Sequence, residues 1–377
     1  MQERLAPLCL LPPPLGTPWA GVDWEAPSPQ IPRRNLPPRP VGTPLFWYAP
    51  DWYRVRPELA SALAWAVTRL GVPVAALRSE LGSPGSEIPL HDHPWPAHPE
   101  SSNSGGLSPP KPPPDETAAR IVPYRPDRYG LAATDFDGAA VVDVRLALGR
   151  DPFGRFAYTP QQIQRWEATP QDDPVAGGEW LPAATFPPDV PDIDHLAGKL
   201  TQLRMLAPAA SVFVSLAPVR LDEELPRVVA AQPDGIILRT DLFQLEGLAL
   251  GSLARRGRKL LERHGAPEMP LWLVPGPIAP ADVVKLIELG ASAVAVDAWC
   301  DPIRDAATQI RPPSDLAYSP AGGTYADRVA AFVAEHLRDP IETVRGLTLS
   351  VRQTATGERL GTFSGLWAKT LGVRPLG

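Results

Sequence analysis

Cysteine is scarce: the 377 residues hold only Cys9 and Cys300. Two cysteines exclude a disulfide framework, a four-cysteine zinc site and a cysteine-ligated iron–sulfur cluster. An excess of positive charge is missing too. Against 36 basic residues stand 42 acidic ones, a net charge of −6, with no basic stripe for nucleic acid and no polybasic segment for a membrane surface. Long apolar runs are absent; none approaches the roughly 20 residues that span a bilayer. Leu5 to Leu11 is apolar, but Glu3 and Arg4 precede it, prolines 7, 12, 13 and 14 break it, and no small-residue cleavage site follows. It reads as no signal peptide, and the cytoplasm is the expected compartment. No G-x-G-x-x-G follows a strand, no phosphate loop occurs, and no serine–histidine–acid order has a credible setting.

Proline is abundant instead: 50 of 377 residues, or about 13%, against roughly 5% in ordinary proteins. Prolines recurring almost throughout exclude a helical bundle, and the lack of a glycine period excludes collagen. With 44% apolar and 21% charged residues, the composition is that of a folded chain with many stiffened loops.

The pattern along the chain is alternating. Residues 1–41 form a proline- and tryptophan-rich extended arm, with Trp19 and Trp24 expected against a surface. Leu45 to Ala49 reads as a strand, 57–70 as a helix opened by Pro57 and stopped by Gly71, and 72–77 as a strand. Residues 82–118, rich in proline, serine, glycine and histidine, form a flexible insert. Strands are then expected at 140–146, 211–216, 234–239, 270–274 and 293–297. Helices are expected at 160–166 (capped by Thr159), 192–206, 222–231, 248–264, 280–289 and 325–344, the last interrupted at Pro340. The strands are nearly continuous apolar runs, so both faces are buried, as in parallel β/α architecture. The fold class is α/β, a TIM-type (β/α)8 barrel over 42–345, followed by a C-terminal tail at 346–377. A doubly wound sheet is the structural alternative.

Several blocks resemble the central FMN-binding barrel of the glutamate synthase family. They are Asp234-Gly235-Ile236-Ile237, Pro270 to Ile278, and Pro280 to Val294 with its Leu289-Gly290-Ala291 helix end. Ala184 to Pro188 resembles that family's double-proline turn, Val142 to Gly149 the strand before its glycine-rich loop, and Arg128-Tyr129-Gly130 the element just ahead. Residues 45–79 and 325–344 resemble its first unit and its final helix.

The resemblance implies the scaffold; the chemistry departs from it. The first strand runs into Ala49-Pro50-Asp51-Trp52-Tyr53, where the family has small residues. Asp151 stands for a family lysine, Phe153 for a glycine, Ser215 for another lysine, and Gly276 is the one glycine kept in Pro275-Gly276-Pro277. Arg145 alone keeps a cation. An acid about 4 Å from a phosphate charge costs about 4 kcal/mol at an effective dielectric of 20. The expectation is a barrel with its cofactor site eroded: no bound cofactor, no iron–sulfur cluster, and a non-catalytic scaffold meeting a protein partner through its proline and tryptophan segments. A mouth plugged by Trp47, Trp52, Phe153 or Trp299 would support it. The alternative is an active glutamate synthase-type oxidoreductase, making glutamate from 2-oxoglutarate and ammonia, with FMN on Arg145, Gly149 and Gly276. A further alternative is a barrel binding another small molecule at a mouth lined by Asp151, Ser215, Arg239, Asp241, Asp297 and Asp301.

Other clusters have plain readings. His91, Asp92, His93 and His98 fall among prolines and read as a solvated loop, so no metal is expected. Asp135 and Asp137 flank a turn. Arg255, Arg256, Arg258 and Lys259 read as a solvated helix face. The prolines at 109, 110 and 112–114 read as a linker.

Overall fold

Short buried strands and one-sided helices dictate the architecture. The structure is a computed structural model that describes residues 2–11, 29–34, 36–81, 119–124, 131–151, 153, 155–158, 181–182, 190–310, 325–352 and 359–377. Eight parallel strands follow one another around a barrel: β1 (Leu45–Phe46), β2 (Val74–Ala75), β3 (Arg120–Tyr124), β4 (Ala139–Arg145), β5 (Ser211–Leu216), β6 (Gly235–Arg239), β7 (Leu271–Val274) and β8 (Ala293–Ala295). β8 pairs with β1, and Trp47 bridges Val74 to join β1 to β2. The fold is therefore a TIM-type (β/α)8 barrel, and the doubly wound alternative is set aside.

Around the strands lie α1 (Pro57–Arg69), α2 (Leu196–Leu206), α3 (Leu221–Ala230), α4 (Gly247–Arg263), α5 (Pro280–Glu288) and α6 (Asp297–Ala307). α7 (Tyr325–Arg352) buries Val329, Val333, Leu337, Ile341 and Val344 on one stripe and packs on α1, α5 and α6. It runs straight through Pro340. α8 (Gly365–Leu371) lies in the C-terminal segment. Strand 8–10 of the N-terminal arm pairs antiparallel with strand 360–362, which pairs with 374–375.

Two apolar layers result. One fills the space between strands and helices; the other fills the barrel with Phe46, Tyr48, Phe213, Ile237, Trp272 and Val274, floored by Ile31 and Val41 of the arm. Phe46 and Phe213 both stack near Trp272, with ring centroids 4.7 and 4.8 Å away. Gly235 makes room for this cluster, since a Cβ there would lie 2.5 Å from the Phe213 ring.

The readings on 12–28, 82–118, 128–130, 159–166 and 184–188, including the histidine group and the polyproline run, lie outside the described residues. Among the described residues no helix is long and apolar enough to cross a membrane, and no cluster of histidine, cysteine and acid could hold a metal.

Gly235→Ala is expected to cost about 1–3 kcal/mol by overpacking the barrel interior, read as a fall in the urea midpoint with an unchanged m-value.

Candidate active site at the barrel mouth

Period-two alternation turns Val141, Asp143 and Arg145 of β4 into the barrel. The first belongs to the apolar filling; the other two stand above it, toward the C-terminal ends of the strands. Asp143 is completely buried and accepts from Arg145 Nε at 2.6 Å and from Ser215 Oγ at 2.5 Å. Ser215 Oγ in turn accepts from Tyr48 Oη at 3.1 Å. Arg145 also donates through Nη2 to the Tyr48 carbonyl at 2.6 Å, and its guanidinium lies 3.8 Å from the Tyr48 ring centroid. Burial pushes the Tyr48 phenol up to about 12, so it stays protonated at neutral pH and acts as a hydrogen-bond donor.

Arg239 ends β6 near the same ring, 5.4 Å from its centroid. One edge of its guanidinium meets Asp241 at 3.2 Å. Its Nε is buried and has no hydrogen-bond partner. Burial works against its charge, yet Tyr48 and Asp241 carry its pKa above that of a free arginine. Thr240 ties β6 to β7 by donating through N and Oγ1 to the Val274 carbonyl, at 3.0 and 2.9 Å. Gly276 follows in a left-handed turn with φ +74°, open on its Cα side except for Asp241 Cα at 3.9 Å.

The remaining sector is acidic. Asp297, at the start of α6, accepts from Ala49 N at 2.6 Å and Tyr48 N at 3.4 Å. Loss of water around its carboxylate, helped by Asp301, raises its pKa to about 6 against these two hydrogen bonds. Asp301 meets Arg304 at 3.1 Å and Trp47 Nε1 at 3.3 Å.

The structure thus gathers Arg145, Ser215, Arg239, Asp241, Gly276 and Asp297 at the C-terminal ends of the strands. Gly149 and Asp151 stand apart: Gly149 pairs with Ala157 in a small hairpin, and Asp151 is occupied by Arg155 at 2.7 Å and Phe153 N at 2.9 Å. Tyr48 and Asp143 are the residues that sequence reasoning passed over. The signal for Asp143 was present, two positions before Arg145 on a strand read as buried on both faces.

The mouth has the position of a barrel enzyme's active site. No protein-family model and no curated relative matches the chain. Solved structures do match. Mandelate oxidase with (S)-2-phenylpropionate is 16% identical, covering 95% of this chain and 87% of that one, with a TM-score of 0.48. A variant of mandelate oxidase carrying a C4a-OH-FMN adduct is also 16% identical, over 95% and 88%, with a TM-score of 0.46. A lactate oxidase candidate of Pediococcus acidilactici is 13% identical, over 92% and 80%, with a TM-score of 0.48. Likeness at this level shows the fold.

Two expectations are corrected. The neighbours found are mandelate and lactate oxidases, a different barrel family from glutamate synthase. The blocks that resembled glutamate synthase are strand, glycine-turn and helix-end features that parallel barrels share, so the resemblance was to a scaffold. The eroded, non-catalytic scaffold reading is corrected as well, because the mouth keeps its charged groups: Arg145, Arg239, Asp241 and Asp297 all stand at the C-terminal ends of the strands. None of the four aromatics that could have plugged the mouth belongs to the cluster inside the barrel. Trp47 and Trp52 pack between strands and helices, Trp299 donates to the Ile278 carbonyl at 2.7 Å, and Phe153 is 83% exposed.

Asp143→Ala is expected to destabilise the fold by about 3–5 kcal/mol, because it strands the buried Arg145 charge; Ser215→Ala should cost about 1 kcal/mol. Urea unfolding reads both. Because the Asp297 pKa is raised in the fold, its stabilising effect is full below the ordinary value of 3.8 and lost as pH rises through about 6. Wild type should therefore lose stability relative to Asp297→Asn across that window, measured by thermal melts from acid to neutral pH.

Proposed function

We propose that the chain is an enzyme working at the C-terminal mouth, on a small molecule whose carboxylate or phosphate binds Arg239. The observation that carries this is the buried, unpartnered Nε–H of Arg239. An unmet buried donor on a charged group costs about 1–3 kcal/mol or more, and an anionic oxygen is the partner that removes the cost. Asp241 holds the neighbouring Nη2 of the guanidinium, and the face of Tyr48 lies beneath it. The Tyr48–Ser215–Asp143 chain orients the phenol, and burial keeps Tyr48 neutral beneath the bound anion.

The finer proposal is an oxidoreductase using FMN, acting on a hydroxy acid. The donor set fits an FMN phosphate at one place, Arg239 with the open left-handed turn at Gly276. It does not fit at the end of β8, where Asp297 and Asp301 would repel it. Nor would Arg145, held by Asp143, or Gly149, held in its hairpin, serve. FMN, when bound, supplies the acceptor for a hydride. The chain's part is to anchor the anion and exclude water from the Tyr48 end of the barrel.

Titrating the purified protein with FMN, (S)-mandelate and lactate tests the reading. Binding of at least one, weakened on the order of 100-fold in Arg239→Ala by loss of a charge-assisted contact, is expected. FMN binding supports the flavin reading, and hydroxy-acid binding alone supports only the anion site. No binding by any of the three, or equal binding by Arg239→Ala, would contradict it.

A further inference from the structure

A second arginine braces the same mouth from outside. Arg4 lies far from Arg239 in sequence, yet its guanidinium is spent wholly on the loops that follow β6 and β7. Arg4 Nη1 donates to the carbonyls of Pro275 at 2.6 Å and Pro277 at 3.1 Å, and Nη2 donates to the Leu245 carbonyl at 2.5 Å. The Leu245 loop begins at Arg239 and Asp241; the other two acceptors flank Gly276. One planar cation therefore joins the two loops on which the proposed anion site stands.

The arm is itself locked down. Asp282, completely buried in the first turn of α5, accepts from Arg4 N at 2.7 Å and Leu5 N at 3.0 Å. Lys285, one turn further on, donates to Glu3 at 2.9 Å and to the Leu5 carbonyl at 3.0 Å. Leu5 is fully buried. Gly247, at the start of α4, leaves the space through which the arm passes, since a Cβ there would lie 1.8 Å from the Arg4 carbonyl oxygen.

We infer that Glu3 to Leu5 act as a clasp on the barrel mouth, with Arg4 as a positioning residue that sets the distance between the β6 and β7 loops and so the geometry of the Arg239 site. The carbonyls it binds belong to loop segments outside the strand ladder, two of them at prolines beside a left-handed glycine. Three charge-assisted contacts converge on them from a preformed fork. Without the clasp the loops drift by small amounts, which is enough to weaken binding at a site that depends on alignment. The inference deepens the proposed function and rests on it for its binding arm, while its structural arm stands by itself.

The test uses the full chain with Arg4→Ala, Arg4→Lys and Gly247→Ala. Gly247→Ala evicts the arm by collision from the helix start that follows the β6 loop, and Arg4→Ala, which alters neither loop, controls for any direct effect on 240–246. Amide exchange is followed in peptides covering 240–246 and 275–279, together with affinity for FMN and (S)-mandelate. Arg4→Ala and Gly247→Ala should both raise exchange in those two segments on the order of tenfold, leave the strands β4 and β5 protected, and weaken whichever probe binds by a similar factor. Arg4→Lys, which keeps the charge but not the fork, should recover part of each loss. Unchanged exchange in both segments would overturn the clasp, and so would an equal rise throughout the barrel, which marks a merely structural contact. If wild type binds neither probe, the proposed function fails, and the exchange arm still decides the clasp.

Discussion

The molecule turns on one carboxylate. Asp143 sits at the centre of a parallel barrel with no access to water, and buried charge of this kind survives only when paired and hydrogen-bonded. Arg145 supplies the countercharge from the same strand, and Ser215 supplies a hydroxyl from the next. Arg145 then reaches across to the Tyr48 carbonyl, so a pair made within β4 fixes the end of β1 on the far side of the barrel. The groups above it, including Arg239 beside the Tyr48 ring, are placed relative to this pair. A hydrophobic barrel would be simpler to stabilise. Retention of a charged layer at the catalytic end of a barrel is what makes the mouth a site and not only a lid over core.

Charge also divides the mouth into two halves. Around β6 and β7 stand Arg239, the open turn at Gly276 and the bracing Arg4. Around β8 and β1 stand Asp297 and Asp301, the first held by the amides of Tyr48 and Ala49. On the proposed function, an anionic ligand would be directed to the former and kept from the latter by charge. A cavity of about 690 Å³ opens at the other end of the barrel, where Thr43, Trp272, Ser292, Glu342 and Arg345 line it. It lies at the N-terminal ends of the strands, where conservation of the barrel itself rather than chemistry is the usual concern.

Much of this was legible in the sequence, and the failures have physical causes. Seven strands follow from apolar runs such as Val212 to Leu216 and Ile236 to Leu238. β3 does not, because it opens with Arg120 and contains Pro123; the proline is tolerated since pairing with β2 ends at Ala75 and Ile121, leaving no ladder bond to lose. α6 was read as the end of a strand because Pro302 and three acids obscure its period, and α7 was read as broken at Pro340 although tertiary packing carries the helix through. At the mouth, position along the strands placed Ser215, Arg239, Asp241 and Asp297 at the C-terminal strand ends, where the structure has them. The partnership of Asp143, Ser215 and Tyr48 depends on register across three strands, and Arg4 depends on the arm's path. Neither is a local property. The family assignment failed for a related reason: helix ends and glycine turns report what every parallel barrel needs.

The central claim is that Arg239 carries an unmet donor awaiting an anion, and a crystal structure of the chain soaked with (S)-mandelate or FMN tests it most directly. The account predicts a carboxylate or phosphate oxygen within hydrogen-bond distance of Arg239 Nε, beside Gly276. Density for the ligand only in the cavity at the opposite end of the barrel, with Arg239 Nε still unpartnered, would contradict it.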